Sequence, residues 1–412
     1  MLDLPIFAST AALALVGLSG MFDNHLWRII LLVAQYRIVG IPSALVDGAL
    51  YLLAAVGIWW MPLYANFQSR PKKGCIFVTG CDSGMGKATV LGLAKAQGDA
   101  AASGGDQYDR IFAGCYDPKS ALAVYEAELS EDEMKSVTLV PLDVTDNDSV
   151  KKAAGVVRDW ISKHHKQQSG IEGGKLDDSL VGLTGLVQFH GVAFNGPSAY
   201  MPVEMYTRQL DVNFVGTIRV VQALLPLLKQ SSKSGQSYNS RIVLTGTGGG
   251  SCSPCPPLLT AYMSSKFALE AYGQSLKAEL FMTGADIDVS VINPGFVKPT
   301  MLISEGTRIS ASMWKACESK LGSSVAHDEY GAMLDHFTKY SALQPGTHVS
   351  EIVKATEHAL LSQVPRSSYK VGIDSKLAPI VGMFPTGLRE PIARHGIYGK
   401  LSLAGTVPGY KV

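Results

Sequence analysis

Cys75-Ile76-Phe77-Val78-Thr79-Gly80-Cys81-Asp82-Ser83-Gly84-Met85-Gly86-Lys87 carries a short apolar run into a glycine-rich turn, and Ala88 to Ala96 follows with helical character. An apolar run of this length, bounded by turn residues, reads as a strand buried in a sheet. Glycines at 80, 84 and 86 allow a tight turn and let backbone N–H groups approach a pyrophosphate at the start of the helix, where the helix dipole favours an anion. On these residues alone two readings stay open, a dinucleotide cradle or a turn that serves only strand-to-helix packing.

Working outward, Cys75 to Val78, Ile111 to Gly114, Val137 to Pro141, Leu183 to Gln188, Arg241 to Thr245 and Asp288 to Ile292 read as strands, with stretches of helical length between them. That alternation implies βαβ units and an α/β fold: a doubly wound parallel sheet with helices on both faces, the Rossmann architecture. Three polar stretches, 98–108, 165–178 and 231–240, read as surface loops within one domain that spans residues 70–380, and residues 381–412 read as a C-terminal extension.

Of the 412 residues, 17% are charged and 47% hydrophobic, which excludes disordered, collagen-like and disulfide-scaffold classes. A net charge of +1 offers nucleic acid no attracting field. The charge is unevenly placed, because residues 1–69 contain only Asp3, Asp23, Arg28, Arg37 and Asp47. Within them Pro5 to Phe22 is uncharged, and Ile41 to Leu63 is interrupted only by Asp47 and two prolines, each run being long enough to cross about 30 Å of hydrocarbon as a helix. Residues 1–69 are therefore expected to form a membrane anchor of one or two spanning helices; a pair of buried core helices is the competing reading. No Lys or Arg precedes the first run, which disfavours a cleaved signal peptide. Trp59 and Trp60, then Arg70, Lys72 and Lys73, place the end of the second run at a cytosolic interface. Six irregularly spaced cysteines read as free thiols. Cys252-Ser-Pro-Cys255 has no second pair or nearby His to complete a zinc site, so no metal is expected.

Tyr262-Met263-Ser264-Ser265-Lys266 sets Tyr and Lys at i and i+4 on one helix face. An ammonium near a phenol stabilises phenolate, so such a tyrosine can exchange protons with an alcohol or carbonyl near neutral pH. Together, Thr79-Gly80-x-x-x-Gly84-x-Gly86 and Tyr262-x-x-x-Lys266 resemble the short-chain dehydrogenase/reductase family. The resemblance implies that Thr79, Gly80, Ser83, Gly84, Met85 and Gly86 bind NAD or NADP. It implies that Asp143 and Val144 contact the adenine, although Asp143 equally suits a helix cap. It casts Tyr262 as proton donor/acceptor and Lys266 as the ribose-holding cation. Asn213, in Leu210-Asp211-Val212-Asn213, would order a relay water, and Thr247 stands where the family has serine, with Ser251 as its substitute. Pro294, Gly295 and Thr300 would meet the nicotinamide amide, with the Pro-Thr order exchanged. After the fourth strand the family's Asn-Asn-Ala-Gly is replaced by Gln188-Phe189-His190-Gly191, and only Gly191 survives. His190 reads as a gap-filling side chain beside the cofactor or as an extra catalytic group. Cys115-Tyr116-Asp117, with no Arg, favours NAD; Lys87 or Lys119 would be the alternative partners for a 2′-phosphate.

Met313-Trp314 to Leu321, Tyr330-Gly331, Glu357-His358-Ala359-Leu360, Pro365-Arg366, Tyr369 and Gly372-x-Asp374-x-Lys376 resemble the membrane-bound retinol and 17β-hydroxysteroid dehydrogenase branch. That branch implies an endoplasmic-reticulum membrane protein with its catalytic domain facing the cytosol, an apolar lipid alcohol or ketone as substrate, and pairing of two copies. Residues 296–341, with Phe296, Met301, Leu302, Ile303, Met313 and Trp314, read as a lid over an apolar pocket or as ordinary helix packing. The competing function, motivated by Gln188-Phe189-His190 and Thr247, is an inactive dinucleotide-binding scaffold.

Overall fold

All five residues of strand β1 (Cys75–Thr79) are buried, which requires cover on both faces of the sheet. The computed structural model describes residues 74–103, 108–168, 182–233, 239–248, 250, 255–300, 311, 314–319, 330, 333, 346–382, 384 and 386–391. The expected membrane runs 5–22 and 41–63, Ser251, Cys252, Met301 to Ile303, Met313 and residues 392–412 lie outside them.

From the glycine turn the chain continues as α1 (Gly84–Ser103), β2 (Arg110–Cys115), α2 (Pro118–Glu128), α3 (Glu131–Met134), β3 (Val137–Pro141), α4 (Asn147–Gln168) and β4 (Leu183–Gln188). Next come α5 (Val203–Leu210), a π-helical turn (Asp211–Val215), α6 (Gly216–Lys233), β5 (Ser240–Thr245), α7 (Thr260–Met282) and β6 (Ile287–Pro294). The last elements are β7 (Val297–Lys298), β8 (Thr347–His348), α8 (Val349–Leu361), β9 (Ser368–Val371), α9 (Ile373–Gly382) and α10 (Thr386–Pro391). Seven parallel strands form the main sheet in the order β3-β2-β1-β4-β5-β6-β9, and β7 pairs with β8 separately. The six expected strands are present, with bounds shifted by no more than two residues.

Alternation along β1 divides the core into two layers. Cys75 and Phe77 join Phe112, Val157, Leu224, Leu228, Leu269 and Leu276, which come from the neighbouring strand and from α4, α6 and α7. Ile76 points the other way, toward Leu360 of α8. On that side Gly92 lets α1 pass so close to α8 that an added Cβ would lie 2.8 Å from Val353 Cγ1. The stretch Val203–Ser231 is apolar and long enough to cross a membrane by length and composition. In this fold its Val220, Val221, Leu224 and Leu228 are nearly fully buried in the core.

Two expectations need correction. Helices α1, α4 and α6 run into stretches expected to be loops, reaching Ser103, Gln168 and Lys233. In α1 the Ala-rich segment sustains the helix past Gly98, and Gln97 Oε1 accepts the Tyr108 N–H at 2.6 Å, closing the connection. The seventh strand, β9, was not expected because Ser368-Tyr369-Lys370-Val371 is too short to show a period. It is fixed by tertiary contacts: Tyr369 is fully buried, its hydroxyl meeting His358 Nδ1 at 2.8 Å and accepting the Arg366 N–H at 3.0 Å. Tyr369→Phe, which strands both partners, should lower unfolding free energy by about 1–3 kcal/mol in chemical denaturation of the detergent-solubilised chain.

Candidate active site

Parallel pairing aligns the carboxyl ends of the central strands, with Thr79 opposite both Gly114 and Gln188, and Thr245 opposite Ile292. Strand order reverses direction between β1 and β4, so a crevice opens beyond their ends, where ligands of open α/β sheets bind. The glycine turn forms one wall. Gly80 has φ +70°, and a Cβ there would lie 2.6 Å from His190 N; one on Gly86 would lie 2.2 Å from Gly80 O. Tight self-packing is therefore one reason for these glycines. A second reason lies at the helix start, where Lys87 N–H to Ser83 O, at 3.3 Å, leaves the amides of Gly84, Met85 and Gly86 without acceptors in their own helix. Gly84, at φ +57°, would meet Thr300 first with an added Cβ, at 3.8 Å. These amides, at a helix start beside the switch point, fit a dinucleotide pyrophosphate.

Across the crevice, α7 carries Tyr262 and Lys266. Lys266 is 4% exposed, and its Nζ donates to Thr245 O at 2.8 Å and lies 5.8 Å from the Tyr262 ring centre. Burial lowers the Lys266 pKa to about 8. Burial raises that of Tyr262, and a hydrogen bond from the Thr247 hydroxyl opposes the rise. The phenol thus stands above its ordinary range, contrary to the lowering expected from the ammonium, and Thr247 is the group that opposes the rise. Thr247 is itself held by its N–H to Asn293 Oδ1, at 3.1 Å.

Asn213 sits in the π-helical turn, an irregularity often found at functional sites, and is fully buried. Its Oδ1 accepts the Val192 N–H at 2.8 Å, while Nδ2 donates to Val192 O at 2.9 Å and Ser265 Oγ at 3.0 Å. Both amide hydrogens are taken, so the side chain clamps the segment after β4 to α7. Gly191 borders this clamp, its added Cβ falling 3.3 Å from Asn213 Oδ1 and 3.7 Å from Lys266 Nζ.

Pro294 ends β6, and the turn after it is held from a distance. Gly295 N–H donates to Val371 O at 2.9 Å, Phe296 N–H to Asp374 Oδ2 at 2.7 Å, and Ser375 Oγ to Asn293 O at 2.6 Å. Thr300 Oγ1 donates to Val297 O at 3.0 Å, which keeps Thr300 beside the glycine turn. Asp143 and Val144 follow β3 at the sheet's edge, two strands from β1. Asp143 Oδ1 accepts both the amide and the hydroxyl of Thr145 in a local turn ahead of α4, whose first amides are met instead by Asp146 Oδ1 at Asp148 N–H, and Val144 is buried. Tyr116 is 76% exposed after β2. Lys87 is paired with Glu128 at 2.8 Å.

Four residues not anticipated from the sequence complete the arrangement: Asp82, Asn293, Ser265 and Asp374. Each acts through hydrogen bonds to residues 34 to 78 positions away. A single sequence carries no local signal for such links. His190 is resolved as a bridge, with Nδ1 2.7 Å from Thr79 Oγ1 and Nε2 3.3 Å from Thr217 Oγ1. Burial first, then the Lys266 charge, lowers its pKa to about 3, so the ring is neutral and serves packing.

The model of the short chain dehydrogenase family matches residues 74–309. Retinol dehydrogenase 5 of Homo sapiens is 31% identical over 328 residues, covering 76% of this chain and 86% of that protein. The 3beta-hydroxysteroid dehydrogenase dhs-16 of Caenorhabditis elegans is 27% identical, covering 81% and 77%. Among solved structures, a short-chain dehydrogenase from Streptomyces avermitilis is similar in fold, with a TM-score of 0.50 and 17% identity over 82% of this chain and 99% of that one.

Between pH 6.5 and about 3 an unfolded chain protonates His190 while the folded chain does not, so stability falls as pH falls through that window. His190→Asn should flatten the fall by one proton, about 1.4 kcal/mol per pH unit, as read from denaturation midpoints across the acid range.

Proposed function

This chain belongs to the short-chain dehydrogenase/reductase family, and we propose that it interconverts a hydroxyl and a carbonyl on a hydrophobic lipid of the sterol, steroid or retinoid class. The observation that carries the proposal is the buried Lys266 ammonium on the carbonyl at the end of β5, beside the Tyr262 ring, with Thr247 bonded to the phenol. When bound, the nicotinamide supplies the hydride acceptor or donor. Everything else falls to side chains of this chain. In the oxidative direction Tyr262 Oη takes the substrate's hydroxyl proton as its carbinol hydrogen leaves as hydride; in the reductive direction it returns that proton to the carbonyl oxygen. Thr247 donates a hydrogen bond that favours phenolate, and Lys266 supplies positive charge in a poorly solvated place.

An apolar substrate suits the surroundings of Tyr262. Its neighbour Ala261 packs with Met201 and Cys317, and Met205 and Tyr206 border that cluster. Tyr200 meets Tyr330 edge to face at 5.7 Å, joining the loop after β4 to the segment expected to form the lid. Retinol and 3beta-hydroxysteroid dehydrogenases among the relatives support the same substrate class. The apolar runs within residues 1–69 anchor the enzyme in the endoplasmic-reticulum membrane, with residues 70–380 in the cytosol, so poorly soluble substrates reach the site from the bilayer. NAD is preferred over NADP.

Tyr262→Phe should reduce turnover of lipid alcohols by about 10²–10⁴-fold while leaving the dissociation constant for NADH unchanged. Full activity in that variant would refute the role given to Tyr262, and cofactor binding by the parent chain with no turnover across a panel of lipid alcohols and ketones would favour the scaffold reading instead. Thr247→Val keeps the side chain's shape but removes the hydrogen bond that lowers the phenol's pKa. The acid limb of the pH profile for alcohol oxidation should therefore move to higher pH, and Thr247→Ser should restore it.

A further inference from the structure

We infer that Asp82, within the glycine turn, selects the cofactor by fixing a carboxylate against the end of β2, so that the chain accepts a free ribose 2′-hydroxyl and rejects a 2′-phosphate. The inference rests on the dinucleotide reading above and assigns its specificity to a variable position of the Thr-Gly-x-x-x-Gly-x-Gly turn. Asp82 Oδ2 accepts the Tyr116 N–H at 3.0 Å, and Oδ1 accepts the Asp117 N–H at 2.8 Å. Those two amides follow β2, where the ribose of a dinucleotide is read in this architecture. They are donors that a 2′-phosphate would need, and a carboxylate already holds both. Each carboxylate oxygen keeps a further lone pair, so a ribose hydroxyl can still donate to it.

Surrounding charges act in the same sense. Asp117 caps α2, its carboxylate accepting the Ser120 hydroxyl at 2.6 Å and amide at 3.2 Å, which keeps it below the usual carboxylate range. Lys119 lies beside Asp117 and is offset by it. Lys87, the other cation in reach of this turn, is paired with Glu128. Asp82, Asp117 and Glu128 thus outnumber Lys87 and Lys119, and an added phosphate meets net negative charge where it would need a cation.

The test is equilibrium binding of NADH and NADPH to the detergent-solubilised full chain, followed by calorimetry, for the parent, Asp82→Asn and Asp117→Asn. Asparagine caps a helix as well as aspartate does, so the second variant removes charge and keeps the cap. The parent should bind NADH at least about tenfold more tightly than NADPH, Asp82→Asn should narrow that ratio about tenfold and Asp117→Asn about threefold, chiefly through tighter NADPH binding. A ratio unchanged in both variants, or a parent with no preference, overturns the inference. Should Asp82→Asn lose both cofactors, the parent's ratio between about 0.05 and about 0.5 M KCl decides: a preference that shrinks with salt supports repulsion of the 2′-phosphate, and a flat ratio refutes it. Failure of the parent to bind either cofactor would overturn the dinucleotide reading itself and is distinguishable from equal binding of both.

Discussion

A buried ammonium must find an acceptor, and Lys266 finds one in the carbonyl of Thr245, at the last residue of β5. That one bond ties α7 to the carboxyl edge of the sheet. Because Tyr262 stands one turn earlier on the same face of α7, placing Lys266 also places the phenol. Thr245 is held in turn, its hydroxyl donating to Gln188 O at 2.7 Å, so β4, β5 and α7 meet at a common point. The Asn213 clamp fastens the segment after β4 to α7 through Ser265. Tyr262 and Lys266 therefore stand on a braced frame.

Departure from the family's pattern after β4 is absorbed by the same network. A pair of asparagines would offer amides at 188 and 189; here Gln188 Nε2 reaches Thr217 O, at 3.3 Å, and His190 spans Thr79 and Thr217. The bridge runs from β1 to α6 across the crevice floor. A charged imidazole there would confront Lys266, and burial together with that ammonium keeps it neutral. The substitution changes how the crevice floor is braced and leaves Tyr262, Lys266 and Thr247 in place, so loss of catalysis does not follow from it.

What a single sequence makes legible is what lies close together along it. The period of the strands, the glycine spacing and the i, i+4 pair are local patterns, and the sheet and the Tyr262/Lys266 face follow from them. Helix ends were less legible, because the Ala-rich run past Gly98 favours helix in a stretch whose polarity reads as loop. β9 depends on Tyr369 finding His358 and Arg366, and Asn293 depends on Thr247 and Ser368, links that become visible only when the chain is folded. The phenol's acidity is illegible in the sequence for a related reason. Spacing shows that an ammonium is near but not how much water burial removes, and in this site desolvation is the larger effect.

Positioning and specificity are distributed differently over the sheet. At β4, β5 and β6 the supporting side chains are buried amides and hydroxyls, Asn213, Thr245, Asn293 and Ser265, which are neutral and make directional bonds. Such groups fix geometry at low electrostatic cost in a poorly solvated interior, where further charges would perturb Tyr262 and Lys266. At β1 and β2 the supporting groups are carboxylates bonded to backbone amides, the half-buried Asp82 and the exposed Asp117. There solvent limits the cost of holding charge, and the charge is free to discriminate between ligands. The division follows from depth: neutral bonds brace the buried end of the crevice around Lys266, and negative charge stands at the more exposed end after β2.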